Sequence, residues 1–340
     1  MMSLKQFIKE WMLPIAMVSG ASIYLIYNAL PASVHCVGPI LSGVVDVAQP
    51  LLLFLMLFLT FCRIEPKDLR PHRWHTWLLL IQGGLFVFLG LVVVLVRRWF
   101  DADASNAVTL LECAMLCMIC PTATAAAVVT RKLGGDVPGI TTYIVLINLL
   151  TAVLVPLVVP VLGHQPDLDF WQSFSMIMAK VFPLLITPCL GAWLVRYLLP
   201  GFHSWLLRYP DLPFYLWAVA LTLAIALTTR AIVQSEMSVG VLLAMSGVSL
   251  VCCAFQFAAG RSIGWSYRPR ALGQTASAPD AGSRTIQKIT AGQSIGQKNT
   301  VFAIWLAYTF LTPETAIIGG LYSIWHNIYN AWQLRRCRVK

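Results

Sequence analysis

Charge is what this sequence has least of. Asp, Glu, Lys and Arg together make up 11% of its 340 residues, where a soluble domain carries about a quarter. A chain so poor in charge cannot cover a soluble surface, so an ordinary soluble fold is excluded. Catalytic and nucleotide motifs are missing too. There is no H-E-x-x-H, no Walker loop and no dinucleotide fingerprint, which argues against ATP-driven transport by this chain alone. No small-residue cleavage site follows the first ten residues, and the apolar run behind them is long enough to span, so no cleaved signal peptide is expected. Nine cysteines suggest a disulfide set until they are placed. Cys62, Cys113, Cys117, Cys120, Cys189, Cys252 and Cys253 fall in or at the ends of apolar runs, and Cys337 lies in the basic tail. Only Cys36 is expected outside, so a structural disulfide is not expected. Cys113, Cys117 and Cys120 share a helix face, but no histidine accompanies them, and buried packing explains them better than a metal.

What the sequence has in abundance is apolar length. Hydrophobic residues make up 58% of the chain and mean hydropathy is +0.75. Several runs reach the roughly 20 residues needed to cross a bilayer. The expectation is an all-α integral membrane protein with ten transmembrane helices near 11–30, 41–62, 74–96, 107–131, 138–163, 171–198, 212–233, 239–260, 284–310 and 313–334. With the N-terminus inside, 19 of the 24 Lys and Arg fall in cytoplasmic loops, tails and the span ends that adjoin them; Arg97, Arg98 and Arg230 fall on the outer side, and Lys180 and Lys298 deeper within spans. By the positive-inside rule both termini are then cytoplasmic, in a multi-pass protein of the cell inner membrane. The net charge of +10 is an orientation signal and calls for no nucleic acid.

Ten spans divide into five and five around the polar link "GHQPDLD" (163–169), and an odd number per half forces the second half to insert upside down. That is the arithmetic of inverted-repeat transporters. The expected units are residues 1–163, 164–334 and a basic tail, 335–340. The loop 262–283, rich in Ser, Ala, Pro and Gly, reads as flexible. Binding sites in such architectures lie where corresponding helices are interrupted. Span four is interrupted by "CPTATAAA" (120–127) and span nine by "GQSIGQKNT" (292–300), the fourth helix of each half. Proline removes a backbone donor and glycine permits unwinding. The plainer reading is a pair of packing kinks, but two breaks at matched positions, both unusually polar, favour a site.

Lys298 sits inside the second break, where a charge is costly. It could snorkel to an interface, lie buried as a neutral amine, or be held as an ammonium by carbonyls freed at the break, a geometry like that of a bound sodium ion. "GQSIG" (292–296) matches the G-x-S-x-G elbow, with His326 as an imaginable base, yet that motif requires a strand–turn–helix context. His326 is expected to pack or bond within span ten, and no enzyme activity is expected. Asp46 and Glu112 lie toward outer span ends, where a wet vestibule is as good a reading as pairing, and Lys180 could answer one of them. Gln82 is a buried amide in span three, with either an interhelical bond or ligand coordination as its role.

"PLLLFLMLFLTFCRIEPKDLR", "LLLIQGG", "CPTATAAAVVTRKLGGD", "IGQKNT" and "YSIWHNIYNAW" together resemble the bile acid:sodium symporter family, in order along nearly the whole chain. The resemblance implies a core domain with two crossing broken helices, four and nine, and a panel domain that moves against it. It also marks where the sequence departs. Family positions whose Ser and Asn bind one sodium are Ala126 and Ala127 here, a degenerate sodium site. Ser294 stands where a glutamate serves both sodium sites, and Lys298 where a glutamine binds the second. Gln82, Asn299 and Thr300 keep their types, while Ile140 and Ile144 stand at the corresponding span-five positions.

One carboxylate is lost and one ammonium gained, as when an ion is replaced by a tethered charge. The expectation is that Lys298 occupies the second sodium position, held by Gln82 and break-exposed carbonyls, in a former cation site of Gln82, Ser294 and Lys298. Function is then expected to be secondary transport of a small organic anion by alternating access, without conventional sodium coupling, leaving proton coupling through Lys298 or facilitated movement. Thr122, Thr124, Asn299 and Thr300 are expected near the substrate. No cofactor is expected, the lipid bilayer and the substrate anion are the partners, and oligomeric state is open. A sodium-coupled symporter, a transporter-like sensor working through the 262–283 loop or the tail, and an intramembrane hydrolase are the competing readings.

Overall fold

A computed structural model describes residues 4–31, 38–100, 106–164, 167–209, 211–267 and 281–338. Cys36, Arg268, Arg270, Lys340 and most of the loop expected at 262–283 lie outside the described residues, as do the side chains of Lys5, Lys9 and Arg338. Among the described residues the secondary structure is helical: α1 (Leu4–Ala29), α2 (Gly38–Phe61), α3 (Arg73–Phe100), α4 (Asn106–Ile119), α5 (Ala126–Lys132), α6 (Val137–Val158), α7 (Phe170–Leu198), α8 (Pro200–Leu207), α9 (Leu212–Gln234), α10 (Val239–Ser266), α11 (Ala281–Gly296), α12 (Thr300–Phe310) and α13 (Pro313–Arg338). Among the described residues six of these, α2, α3, α6, α7, α9 and α10, are long and apolar enough to cross a membrane. The outward faces of these helices are apolar: Val47, Phe88, Leu194, Val219 and Leu243 are all exposed. So much apolar surface would aggregate a soluble protein, whereas acyl chains cover it without cost. The chain is a multi-pass, all-α membrane protein.

Helix ends are set by local chemistry. Asp169 opens α7 with a capping box, its carboxylate accepting from the Gln172 amide at 2.9 Å while Gln172 returns a bond to the Asp169 N–H at 3.1 Å. Asp136 caps α6, accepting from Gly139 N at 3.1 Å, with a proline following in the first turn. Each cap satisfies an amide that the helix leaves without a partner.

The helices pack as one connected bundle. α1 lies along α9 and α2 between α7 and α9; α3, α10 and α13 pack on α4, and the packing of α6 on α7 and of α13 on α9 joins these sets. α10 and α11 make the closest contact, and Gly260 and Gly264 of α10 explain it. A Cβ on Gly260 would strike the Ala291 carbonyl, and one on Gly264 the Gln287 carbonyl. This is a small-xxx-small seam, which lets backbones approach closely where lipid provides no hydrophobic drive.

Spans four and nine of the sequence reading are each two helices, α4 with α5 and α11 with α12, separated by short extended segments. The second break is shorter than "GQSIGQKNT" suggested. α11 continues through Gly292 and Gly296, and only Gln297, Lys298 and Asn299 leave the helix. Gly292 and Gly296 face Arg261 and Phe257 of α10, so they serve close packing here and not unwinding.

A candidate site at the crossing of two broken helices

α4 ends because Pro121 can neither donate to the turn before it nor tolerate that turn's geometry. Carbonyls at the end of α4 then need donors from elsewhere. The structure supplies one for each. Cys117 O accepts from Gln256 Nε2 at 3.3 Å. Met118 O accepts from Lys298 Nζ at 3.1 Å. Ile119 O accepts from Thr151 Oγ1 at 3.1 Å, and Cys120 O from Gln82 Nε2 at 3.0 Å. Pro121 O accepts from the Asn299 N–H at 2.8 Å.

The second break is satisfied largely by the first. Ala123 N donates to Gln297 O at 3.0 Å, so Thr122 and Lys298 form an isolated antiparallel bridge where the two extended segments cross. Thr122 Oγ1 donates to Ser294 O at 2.5 Å, Cys120 Sγ to Asn299 O at 2.8 Å, and Tyr322 Oη to Gly296 O at 2.9 Å. Asn299 caps α12, its Oδ1 accepting from Phe302 N at 3.2 Å. The crossing is thus a woven polar knot inside an apolar bundle.

Lys298 is 2% exposed and extends along the knot to the C-terminal end of α4. That end carries the negative pole of the half-helix dipole and an unfilled carbonyl, so an ammonium there is doubly favoured. Gln82 belongs to the same break, but its amide bridges Cys120 O and the Tyr143 hydroxyl, which donates to Gln82 Oε1 at 2.9 Å. Three buried polar atoms around the crossing have no partner: Ser294 Oγ, Gln256 Oε1 and Asn148 Oδ1. A cavity between Cys117, Lys298, Thr300 and Tyr322 holds about one water. Nothing much larger than a water fits there in this conformation.

Of the residues singled out in the sequence, Thr122, Asn299 and Thr300 are buried at the crossing and Thr124 is half-buried beside it. Ala126 is fully buried, Ala127 is half-buried, and Ile140 and Ile144 contribute apolar packing to the main core. Thr151, Gln256, Tyr143 and Tyr322 were missed. Gln256 could have been found by the criterion that found Gln82, an amide within an apolar run. "GQSIG" lies inside a continuous helix, so the strand–turn–helix of a nucleophile elbow is absent there. His326 is buried with its Nδ1 unpartnered, edge-on to Tyr322 with ring centroids 5.7 Å apart.

The pairing of the in-span charges, left open by the sequence, is settled for Glu112. Lys180 answers no carboxylate in these contacts; it is exposed, with Nζ 5.6 Å from the centre of the Phe310 ring. Glu112 is buried and pairs instead with Arg97 at 3.0 Å and His164 at 2.8 Å. Asp46 is exposed on α2.

Compared with protein families, residues 50–252 match the model of the sodium bile acid symporter family. The match covers more than half of the chain, includes Gln82 and the first break, and stops before Lys298. No curated protein matches the chain.

Proposed function

Because the chain belongs to the sodium bile acid symporter family, whose members are transporters, we propose that it is a secondary transporter of a small organic anion that works by alternating access with a tethered ammonium in place of one coupling ion. That it is a transporter follows from the family and the membrane-spanning helices. The rest of the reading is carried by one observation: Lys298 Nζ lies on Met118 O, buried, at the negative end of a broken helix. A free cation would meet the same partners there, a carbonyl and a helix C-terminus. A lysine delivers that charge on a tether and takes up the space.

The side chains around it agree with a cation site given up. Ser294 offers a hydroxyl in place of a carboxylate, its Oγ without a partner, and Ala126 and Ala127 offer no side-chain oxygen. Sodium coupling of the conventional kind is therefore lost, and transport is either facilitated or proton-linked. Substrate binds next to Thr122, Thr124, Asn299 and Thr300 once the closed crossing opens toward one side. Orientation follows the positive-inside rule, with both termini in the cytoplasm and the protein in the inner membrane.

The test begins with a thermal-shift screen of organic anions on the purified protein, followed by uptake of the best-binding anion into liposomes. Equal uptake in sodium and in choline at constant pH supports the reading. Collapse of uptake in choline overturns it in favour of a sodium-coupled symporter, and binding without flux favours a sensor.

A further inference from the structure

The ion cluster on Glu112 is not used by the crossing and lies where the two halves of the chain join. Glu112 of α4 is 2% exposed at its side chain, and its Oε1 receives both Arg97 Nη2 of α3 at 3.0 Å and His164 Nε2 at 2.8 Å. Its Oε2 receives Thr315 Oγ1 of α13 at 3.3 Å, which in turn meets Thr312 Oγ1 at 2.9 Å. His164 follows Gly163, whose φ of +76° turns the chain out of the 3-10 turn after α6. It therefore belongs to the link that leads from α6 to α7. Arg97 Nη1 also donates to the carbonyl of Leu162 in that link. One carboxylate and one guanidinium thus hold the link against α3, α4 and α13.

Among the described residues, the rest of the lining around the histidine carries no charge. Val159 and Pro160 of its own link, Ser173 and Ile177 of α7 and Phe310 of α12 line the small cavity around it. Lys180 of α7 stands on the far face of this group, over the Phe310 ring, and Asp167 and Asp169 further along the link are exposed. Among the described residues, Arg97 and Glu112 are the charged groups in contact with the imidazole, and the carboxylate is the nearer of the two.

The 2.8 Å contact between Nε2 and Oε1 must contain a proton, because two lone pairs at that distance repel. With Nε2–H the imidazole is neutral and donates to the carboxylate. The 3.3 Å approach of Arg97 Nη2 to Nε2 is then two donors converging on one oxygen. A second proton, on Nδ1, makes the imidazolium and turns the bond into a charge-assisted one, roughly twice as strong. The nearer carboxylate outweighs the more distant guanidinium, so the extra charge adds net attraction. Histidine is the side chain that changes charge in the range from about pH 5 to 8.

We propose that Glu112, His164 and Arg97 form a proton-binding clamp on the link between α6 and α7, tightened when His164 takes up a proton. Its ligand is the proton, and its effect is to hold the joint between the two halves of the chain. The part it plays in transport rests on the alternating-access reading; proton binding at the clamp does not.

Hydrogen exchange of the full-length protein in lipid nanodiscs tests the clamp without a transport substrate, so its failure is distinct from a failure of the transport reading. Peptides covering Asn106–Glu112 and Val159–His164 are compared at about pH 6 and about pH 8, corrected for intrinsic exchange. Protection in the wild type should be at least about threefold greater at the lower pH. H164Q keeps a donor for Glu112 but cannot titrate, so the pH dependence should vanish while protection persists. E112Q should lose protection at both values. A flat or inverted profile in the wild type, or a slope that survives in H164Q, overturns the proposal. H164Q is decisive even if E112Q does not fold.

Discussion

Lys298→Met is the sharpest perturbation of the crossing, because methionine keeps the length and apolar stem and removes the charged head. The loss is the bond to Met118 O at 3.1 Å. A charged hydrogen bond contributes about 1.5–3 kcal/mol, and the orphaned carbonyl accounts for much of it. The gain is relief from burying an ammonium that is 2% exposed, an effective penalty of several kcal/mol per ion. What stays behind is a neutral carbonyl and not an opposite charge, so the severe cost of half-broken buried ion pairs does not apply. The balance is zero to slightly favourable. At roughly 2 °C per kcal/mol for a chain larger than a small domain, Lys298→Met should unfold at the wild-type temperature or up to about 5 °C above it. Lys298→Glu makes the converse test. It sets a carboxylate against a carbonyl at the negative end of α4 and should cost more than about 3 kcal/mol. Both are read by intrinsic tryptophan fluorescence during heating in detergent. A fall of more than about 5 °C in Lys298→Met, or a wild-type midpoint in Lys298→Glu, would refute the view that Lys298 is a tethered cation retained at the expense of stability.

Thr122→Ala removes the 2.5 Å tie from one broken helix to Ser294 O of the other. It should cost about 1–2 kcal/mol in the same melt, and an unchanged midpoint would remove that tie from the account of the crossing. Gln82→Leu strands both Cys120 O and the Tyr143 hydroxyl and should cost about 2–4 kcal/mol; a neutral effect would mean that water replaces the amide. Gly264→Leu drives a side chain into the Gln287 carbonyl of α11 and should cost at least about 1–3 kcal/mol through forced separation of α10 and α11, whereas the exposed Gly247, with no atom near its Cβ position, should accept leucine freely.

The parts of this molecule that were legible in the sequence are those set within a few residues. Apolar runs mark where helices lie, and Pro121 with its polar neighbours marks the break in span four, because a proline acts on the turn beside it. The second break was located but drawn too long. Glycines were read there as points of unwinding, whereas Gly292 and Gly296 serve contact with α10, a distinction that depends on a helix about 30 residues earlier and not on local propensity. Contacts that make the crossing a site were beyond reach for the same reason at larger range. Thr122 and Ser294 are 172 positions apart and Lys298 and Met118 180, and periodicity within a span carries no information about which carbonyl of another span a side chain will meet.

Electrostatics failed in the same way. The sequence left open whether Lys180 answers Asp46 or Glu112, and Glu112 is met instead by Arg97 and His164 at the edge of the bundle, where a salt bridge forms without drawing another charge into lipid. That choice has a consequence for the crossing. With Glu112 engaged by Arg97 and His164, the carbonyl end of α4 keeps its negative potential. Lys298 answers that potential from the opposing broken helix, so the charge that seemed most misplaced in the sequence has a partner in the backbone of the first break.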